Sequence, residues 1–311
     1  MEEQLLTQLH EQGIEARVVP AFHARELAPG LERLLGDGLL ADEFYRERLA
    51  FFNAGEPDPF PDALSVIVVA VPRPRSQATF TWGGSVTTVF IPPTYAGYED
   101  TRNQLEGLIA GILGAGGYRI TRAQMPLKAL AGWSGLAEYG RNNIAYVQGM
   151  GSYHQLFDLF TDLPGGEHEW GEPRMMAACE RCHACQRRCP TGAIPNDRFV
   201  LRAELCLTYH NERAASVPFA PWIDPTWHNA LVGCFRCQEV CPVNAHVIES
   251  VDEVECFSQE ETQHILQGVP LGHHSPDTIK KLQRLGLLEY LEVLPRNLGV
   301  LLQNAGSASA R

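Results

Sequence analysis

Nothing at the start of the chain has the form of an export signal: MEEQLLTQLHEQG lacks a basic segment followed by an apolar core, the pattern that secretion requires. Long hydrophobic runs are missing too. The longest apolar stretch, residues 64–71, falls far short of the about 20 residues needed to cross a bilayer. A soluble, cytoplasmic protein without a membrane span is expected. Positive charge is in deficit: 25 Lys and Arg against 37 Asp and Glu give a formal net charge of −12. Such a field opposes nucleic-acid phosphates unless a local basic patch overrides it. Arg181, Arg187 and Arg188 are one small candidate patch, whose plainer reading is compensation of nearby negative charge on a solvated surface.

What the chain has in quantity is cysteine, nine residues in 311. Most fall into two runs, Cys179-x-x-Cys182-x-x-Cys185-x-x-x-Cys189-Pro190 and Cys234-x-x-Cys237-x-x-x-Cys241-Pro242. Without a secretory signal, disulfides are a poor reading of these residues. The spacing is that of bacterial-type iron–sulfur sites, in which a tight loop supplies three thiolates and the cysteine before proline reaches the other cluster. Cluster one then takes Cys179, Cys182, Cys185 and Cys241. Cluster two takes Cys189, Cys234 and Cys237, and is one ligand short. Cys206, lying between the runs, is the better candidate for the vacancy, which leaves Cys256 as a packing residue. Structural zinc is the rival for paired Cys-x-x-Cys motifs, but a three-thiolate run followed by Cys-Pro, repeated, favours two [4Fe–4S] clusters. Each oxidised cluster adds roughly two negative charges, so the loaded protein is more acidic still. Electron transfer is the expected business of the chain.

Length suggests about two domains. Residues 1–165 read as an α/β unit, with a helix over 2–13, another near 41–53, a buried central strand over 65–71, a short strand over 87–91 and a helix over 98–113. The cluster of glycines at 114–117 follows a helix rather than a strand, so it is not taken as a dinucleotide loop. Residues 165–173 have linker composition and open a cluster domain over 166–256. A helical tail over 257–311 is expected, with helices over 258–267 and 275–302 each opened by a serine cap and a disordered end over 306–311.

The segment from Met125-Pro126-Leu127 through Gly135-Leu136-Ala137-Glu138-Tyr139-Gly140-Arg141-Asn142-Asn143, then Gly149-Met150-Gly151-Ser152-Tyr153 and Thr161-Asp162-Leu163-Pro164, resembles the corrinoid-binding half of the epoxyqueuosine reductase family. The cluster half matches as well, including a lone cysteine at Cys206. The resemblance spans residues 63–245 and extends to related reductive dehalogenases. It implies an α+β architecture: a nitroreductase-like α/β domain holding cobalamin against a ferredoxin-like double [4Fe–4S] domain. Electrons would come from an external donor such as ferredoxin or flavodoxin, passing cluster two and then cluster one on the way to cobalt. By the same resemblance the loop at 135–143 lines the corrinoid pocket, with Gly135, Gly140, Arg141, Asn142, Asn143 and Ser152 as cofactor-binding candidates. No Asp-x-His-x-x-Gly motif occurs, so no histidine is indicated to replace the nucleotide base on cobalt.

Two departures bear on activity. The family's proton-donating aspartate has its place at Ala123 here, which leaves Glu138 and Tyr139 in the pocket loop as catalytic candidates. The helical repeats that help the family hold tRNA have no counterpart in the 55 residues after Cys256. The expectation is a cobalamin-dependent iron–sulfur reductase acting on a small molecule rather than tRNA. The alternatives are a non-catalytic electron carrier and a corrinoid-handling or corrinoid-activating protein.

Overall fold

A computed structural model describes residues 1–53, 60–166 and 170–309. Helix α1 (Glu2–His10) buries Leu5 and Leu9, one turn apart. Strand β1 (Glu15–Pro20) and helices α2 (Ala24–Gly36) and α3 (Asp42–Arg48) follow, and the helix expected over 41–53 is α3 continued by a 3-10 turn at Ala50–Asn53. Strand β2 (Ser65–Pro72) leads into a hairpin of β3 (Arg75–Trp82) and β4 (Ser85–Ile91). Gly83 and Gly84 join these two with φ of 58° and 79°, the left-handed pair that a two-residue turn between right-twisted strands requires. Helix α4 (Tyr98–Gly114), strand β5 (Ile120–Arg122), helix α5 (Leu127–Trp133), the short strands β6 (Glu138–Tyr139) and β7 (Ala145–Tyr146), and β8 (His154–Thr161) complete the N-terminal half.

The main sheet has the order β1-β2-β8-β5, with every pair antiparallel. β2 is central and buried on both faces, as its continuous apolar sequence predicts. Ile67 and Val69 pack with Leu5, Leu9, Ile109 and Leu113 of α1 and α4, while Val66, Val68 and Ala70 pack with Leu27 and Leu130 of α2 and α5. Because side chains alternate across a strand, two apolar layers demand an uninterrupted apolar run.

The cysteine-bearing segment is built from loops and short helices: α6 (Ala184–Arg188), α7 (Leu207–Glu212) and α8 (Arg236–Glu239). Strand β9 (Val251–Phe257) then pairs in parallel with β3 to make a second sheet, β4-β3-β9. Helices α9 (Gln259–Leu266), α10 (Pro276–Arg284) and α11 (Leu294–Ser309) close over it. Phe80 of β3 stacks on Phe257 of β9 at 4.7 Å, and Leu282, Leu294 and Leu298 share their core. The C-terminal helices are therefore welded to a hairpin from the N-terminal third.

Both serine caps form. Ser258 exchanges bonds with Glu261 in a capping box, and Ser275 accepts from the Thr278 amide. The single helix expected over 275–302 is instead two, α10 and α11. Gly286 breaks it at φ 67°, and a Cβ there would collide with the backbone of Tyr95 and Gly97. The disorder expected over 306–311 is corrected through Ser309, where α11 continues; Ala310 and Arg311 lie outside the described residues. So do 167–169 of the expected linker, but Trp170 beyond them stacks on His23 at 4.6 Å and donates to Glu26. Among the described residues no helix is long and apolar enough to cross a membrane.

Candidate functional site

Each cysteine run folds into the same device, a thiol-bearing loop followed by a short helix and a Cys-Pro step. α6 and α8 are those helices, and they pack together. Proline disfavours the helical conformation in the residue before it, and Cys189 and Cys241 are extended, with ψ of 113° and 119°. Their thiols leave their own loops. Cys185 interacts electrostatically with Cys179, Cys241 and Cys182, and Cys179 with Cys241 and Cys182. Cys234 interacts with Cys206 and Cys189, and Cys237 with Cys234 and Cys206. Cys237 also senses Cys185, so the two groups adjoin. Cys256 is exposed on β9 and has no place in either group.

Burial pushes the Cys185 thiol up to about 11 and Cys234 up to about 12, and holds Cys237 far above its ordinary value. Such surroundings resist thiolate charge unless a cationic centre compensates it, which is what iron binding supplies. Among the described residues no three His, Cys, Asp or Glu side chains converge closely enough for a single metal ion. A cluster spreads its four thiolates around a larger body, and the two groups of four fit that demand better than a tetrahedral zinc site.

The loop at 135–143 packs against the first thiol loop. The Arg141 amide donates to Cys179 Sγ at 3.4 Å, and its guanidinium donates to the carbonyls of Cys182, at 2.9 Å, and Cys179. Arg141 thus clamps the first thiol loop. Asn142 is buried, donates to the Tyr146 hydroxyl at 3.0 Å, and lowers Cys237 through a side-chain hydrogen bond. Gly135 turns the chain at φ 68°, and Gly140 abuts the Tyr146 ring. Glu138 is exposed, and Tyr139 is buried with its hydroxyl donating to the Lys128 carbonyl at 2.8 Å. Neither of these expected catalytic residues is among those lining the two cavities of the site.

The large cavity, about 730 Å³, lies between the main sheet and the turn that joins α10 to α11. Its walls are Tyr95, Tyr98, Leu127, Ile144 and Leu156, with Gln283, Leu288 and Tyr290 on the far side. Ser152 and His154 also line it, and Ser152 is the only cofactor-binding candidate from the sequence that does. A second cavity of about 330 Å³ is lined by Cys189, Cys206, Cys234 and Cys237, together with Asn142 and Asn143. The two cavities share Thr94, Tyr95, Lys128 and Ile144. The second thiol group thus lines a small cavity that adjoins the large one, and no cysteine lines the large cavity itself.

Lys128 exposes its surface to these cavities while protein surrounds it, which pulls it down to about 8 against the opposing pull of Cys206. Its ammonium donates to the Asn143 carbonyl and side-chain oxygens at 3.0 and 3.2 Å. His154 donates from Nδ1 to the Gly151 carbonyl at 3.2 Å, and burial holds it at about 4, neutral at physiological pH. Ala123 is buried beside β8. Asp158 of that strand accepts from the Met125 amide at 2.8 Å and is pushed by burial up to about 7. Sequence reasoning missed Tyr95, Tyr98, Lys128, His154 and Asp158. The lysine following Met125-Pro126-Leu127 and the acid and base inside the apolar β8 were the available signals.

Residues 178–244 match a family described as a 4Fe-4S double cluster binding domain. The chain is 31% identical over 223 residues to epoxyqueuosine reductase of Pseudomonas aeruginosa, covering 66% of this chain and 56% of that one. It is 29% identical over 185 residues to the enzyme of Escherichia coli, covering 57% and 45%. It spans about half the length of these curated relatives. A crystal structure of selenomethionine-labelled epoxyqueuosine reductase superposes with a TM-score of 0.67 at 20% identity, covering 99% of this chain and 82% of that one. Fold and thiol groups together define a double-cluster iron–sulfur protein built on an α/β domain. In sequence it is similar to the epoxyqueuosine reductases, and it shares their fold.

Proposed function

We propose that the chain is a cobalamin-dependent iron–sulfur reductase whose substrate is a small molecule other than tRNA. The observation that carries this reading is the 730 Å³ cavity, which adjoins, through Thr94, Tyr95, Lys128 and Ile144, the smaller cavity lined by Cys189, Cys206, Cys234 and Cys237. Its size lies toward the upper end of small-molecule sites, roughly 300–1,000 Å³, and its largely apolar lining suits the face of a macrocycle. Leu127, Ile144 and Leu156 would bound such a ring, and Ser152 and His154 offer polar contacts to its rim. A corrinoid bound there would supply a strongly reducing cobalt centre.

The chain's own residues would supply burial and protons. Lys128, at about 8, holds a proton at neutral pH while facing both cavities. Asp158, at about 7, retains a proton on roughly half the molecules at neutral pH, and sits beside the position where relatives carry their acid. Ala123 itself can donate nothing, which argues against the relatives' reaction at the relatives' rate. The acidic net charge of −12 argues against a nucleic-acid substrate. An external one-electron donor of the ferredoxin or flavodoxin type completes the reading.

Equilibrium dialysis of the anaerobically purified, fully clustered protein against cob(II)alamin tests it. About one site per chain is expected. No retention at micromolar concentrations overturns the reductase reading and leaves an electron carrier.

A further inference from the structure

The first thiol group is wrapped by a segment whose charge runs against that of the molecule. Residues 174–202 contain six arginines and two acids, Glu180 and Asp197, in a chain of net charge −12. Arginines near cysteine loops commonly knit those loops together, and three here do so. Arg141 binds carbonyls of the first loop, Arg236 donates to the Trp227 and Thr226 carbonyls, and Arg296 donates to several carbonyls around residues 210–217. Arg174, Arg181, Arg187 and Arg188 differ. All four are exposed, and among the described residues none has a side-chain hydrogen bond or ion pair. Arg181 lies within the ligand run, Arg187 and Arg188 end α6, and Arg174 immediately precedes the stretch that leads to Cys179. Holding four guanidinium groups free in solvent contributes nothing to folding; it creates a local positive field.

We infer that this arginine face is the docking surface for an acidic one-electron carrier protein, each encounter moving one electron from the carrier to this chain with no atom transferred. The position of the face decides between partners. A nucleic-acid substrate would have to reach the large cavity, which adjoins the small cavity lined by the second thiol group. An electron donor would approach the thiol group that lines neither cavity, and the free arginines lie along the segment that carries three of its cysteines. Charge complementarity suits a small acidic flavin or iron–sulfur carrier, and the net negative charge of the whole chain opposes less specific encounters with it. The inference rests on the reductase reading for its purpose but not for its measurement, because carrier binding and cobalamin binding are read separately.

The test uses the full, clustered chain and oxidised flavodoxin, whose affinity is measured by calorimetry without any turnover. The wild-type affinity should weaken at least tenfold between 0.05 and 0.3 M salt, on the order expected when charge steers association. At low salt, Arg187→Glu/Arg188→Glu should weaken binding at least tenfold, and Arg174→Glu, outside the ligand runs, should weaken it several-fold. Lys280→Glu on α10 should bind as wild type. Iron content of each variant establishes that the cysteine loops are intact; if the double variant loses iron, Arg174→Glu and the salt series decide. Unchanged affinity in Arg174→Glu together with a salt-independent wild type overturns the inference. So does a double variant that keeps carrier binding but loses affinity for a tRNA stem loop, which would make this a nucleic-acid surface.

Discussion

Asp158 offers a sharp test of the electrostatics beside the cavity. Its carboxyl is almost wholly buried, and its pKa is raised from 3.8 to about 7 chiefly by desolvation, which the Met125 amide and Arg102 only partly offset. A folded-state value above the unfolded one means that the native chain holds the proton more tightly. Stability from this group is complete below about pH 3.8, declines as pH rises toward 7, and stays low above it. At 1.36 kcal/mol per unit, the loss at pH 8 is bounded by about 4 kcal/mol. Asp158→Asn removes the charge at every pH while its amide oxygen can still accept from Met125. The variant should therefore match the parent near pH 5 to within about 2 kcal/mol and exceed it by about 2–4 kcal/mol at pH 8. Anaerobic urea denaturation of both proteins at each pH measures this, since cluster loss is common to the two. A stability difference that does not grow with pH, or a variant weaker than the parent at pH 8, refutes the reasoning.

Other expectations follow from the same contacts. Asn244 is fully buried, accepts from the Ser152 amide at 3.0 Å, and donates to Ser152 Oγ at 2.9 Å and to the Gln238 carbonyl at 3.0 Å. Asn244→Ala strands a buried donor and acceptor at about 1–3 kcal/mol each, so hydrogen exchange in residues 234–248 should quicken by about tenfold or more; unchanged exchange would contradict it. Replacing Arg141 with Lys removes the planar fork that spans two carbonyls of the first thiol loop, so cluster loss under oxygen should accelerate several-fold, followed by visible absorption. On epoxyqueuosine-containing tRNA the unmodified chain should turn over far more slowly than about one per second, since a missing general acid costs on the order of 100- to 10,000-fold. Activity gained by Ala123→Asp would support the site's placement, whereas wild-type turnover at ordinary enzyme rates would sink the small-molecule reading.

The sequence was most legible where one local rule governs. The continuous apolar run of β2, the serine caps of α9 and α10 and the Cys-Pro steps each state their structure within a few residues. β3 escaped notice because its inward positions include the small residues Ser76 and Ala78, which weaken the alternation around Phe80. Its parallel pairing with β9, which lies about 170 residues away, has no local sign at all. The large cavity was illegible for the same reason. Its walls come from residues 94–100, 127–128, 144–156 and 283–290, four segments that only the assembled fold brings together. The loop at 135–143 stood out only through its resemblance to a family motif, which does not say which way Arg141 points, and it points at the first thiol loop.

The central claim is that two clusters are held by thiols exchanged between the runs, with Cys206 completing the second set. Iron and acid-labile sulfide, measured on the anaerobically purified chain beside Cys206→Ala and Cys256→Ala, test it most directly. About eight iron atoms per chain are expected in the parent and in Cys256→Ala, and about four in Cys206→Ala, whose surviving signal should be that of one [4Fe–4S] cluster. Equal iron in Cys206→Ala and the parent, or a loss of about half the iron in Cys256→Ala, would contradict the assignment.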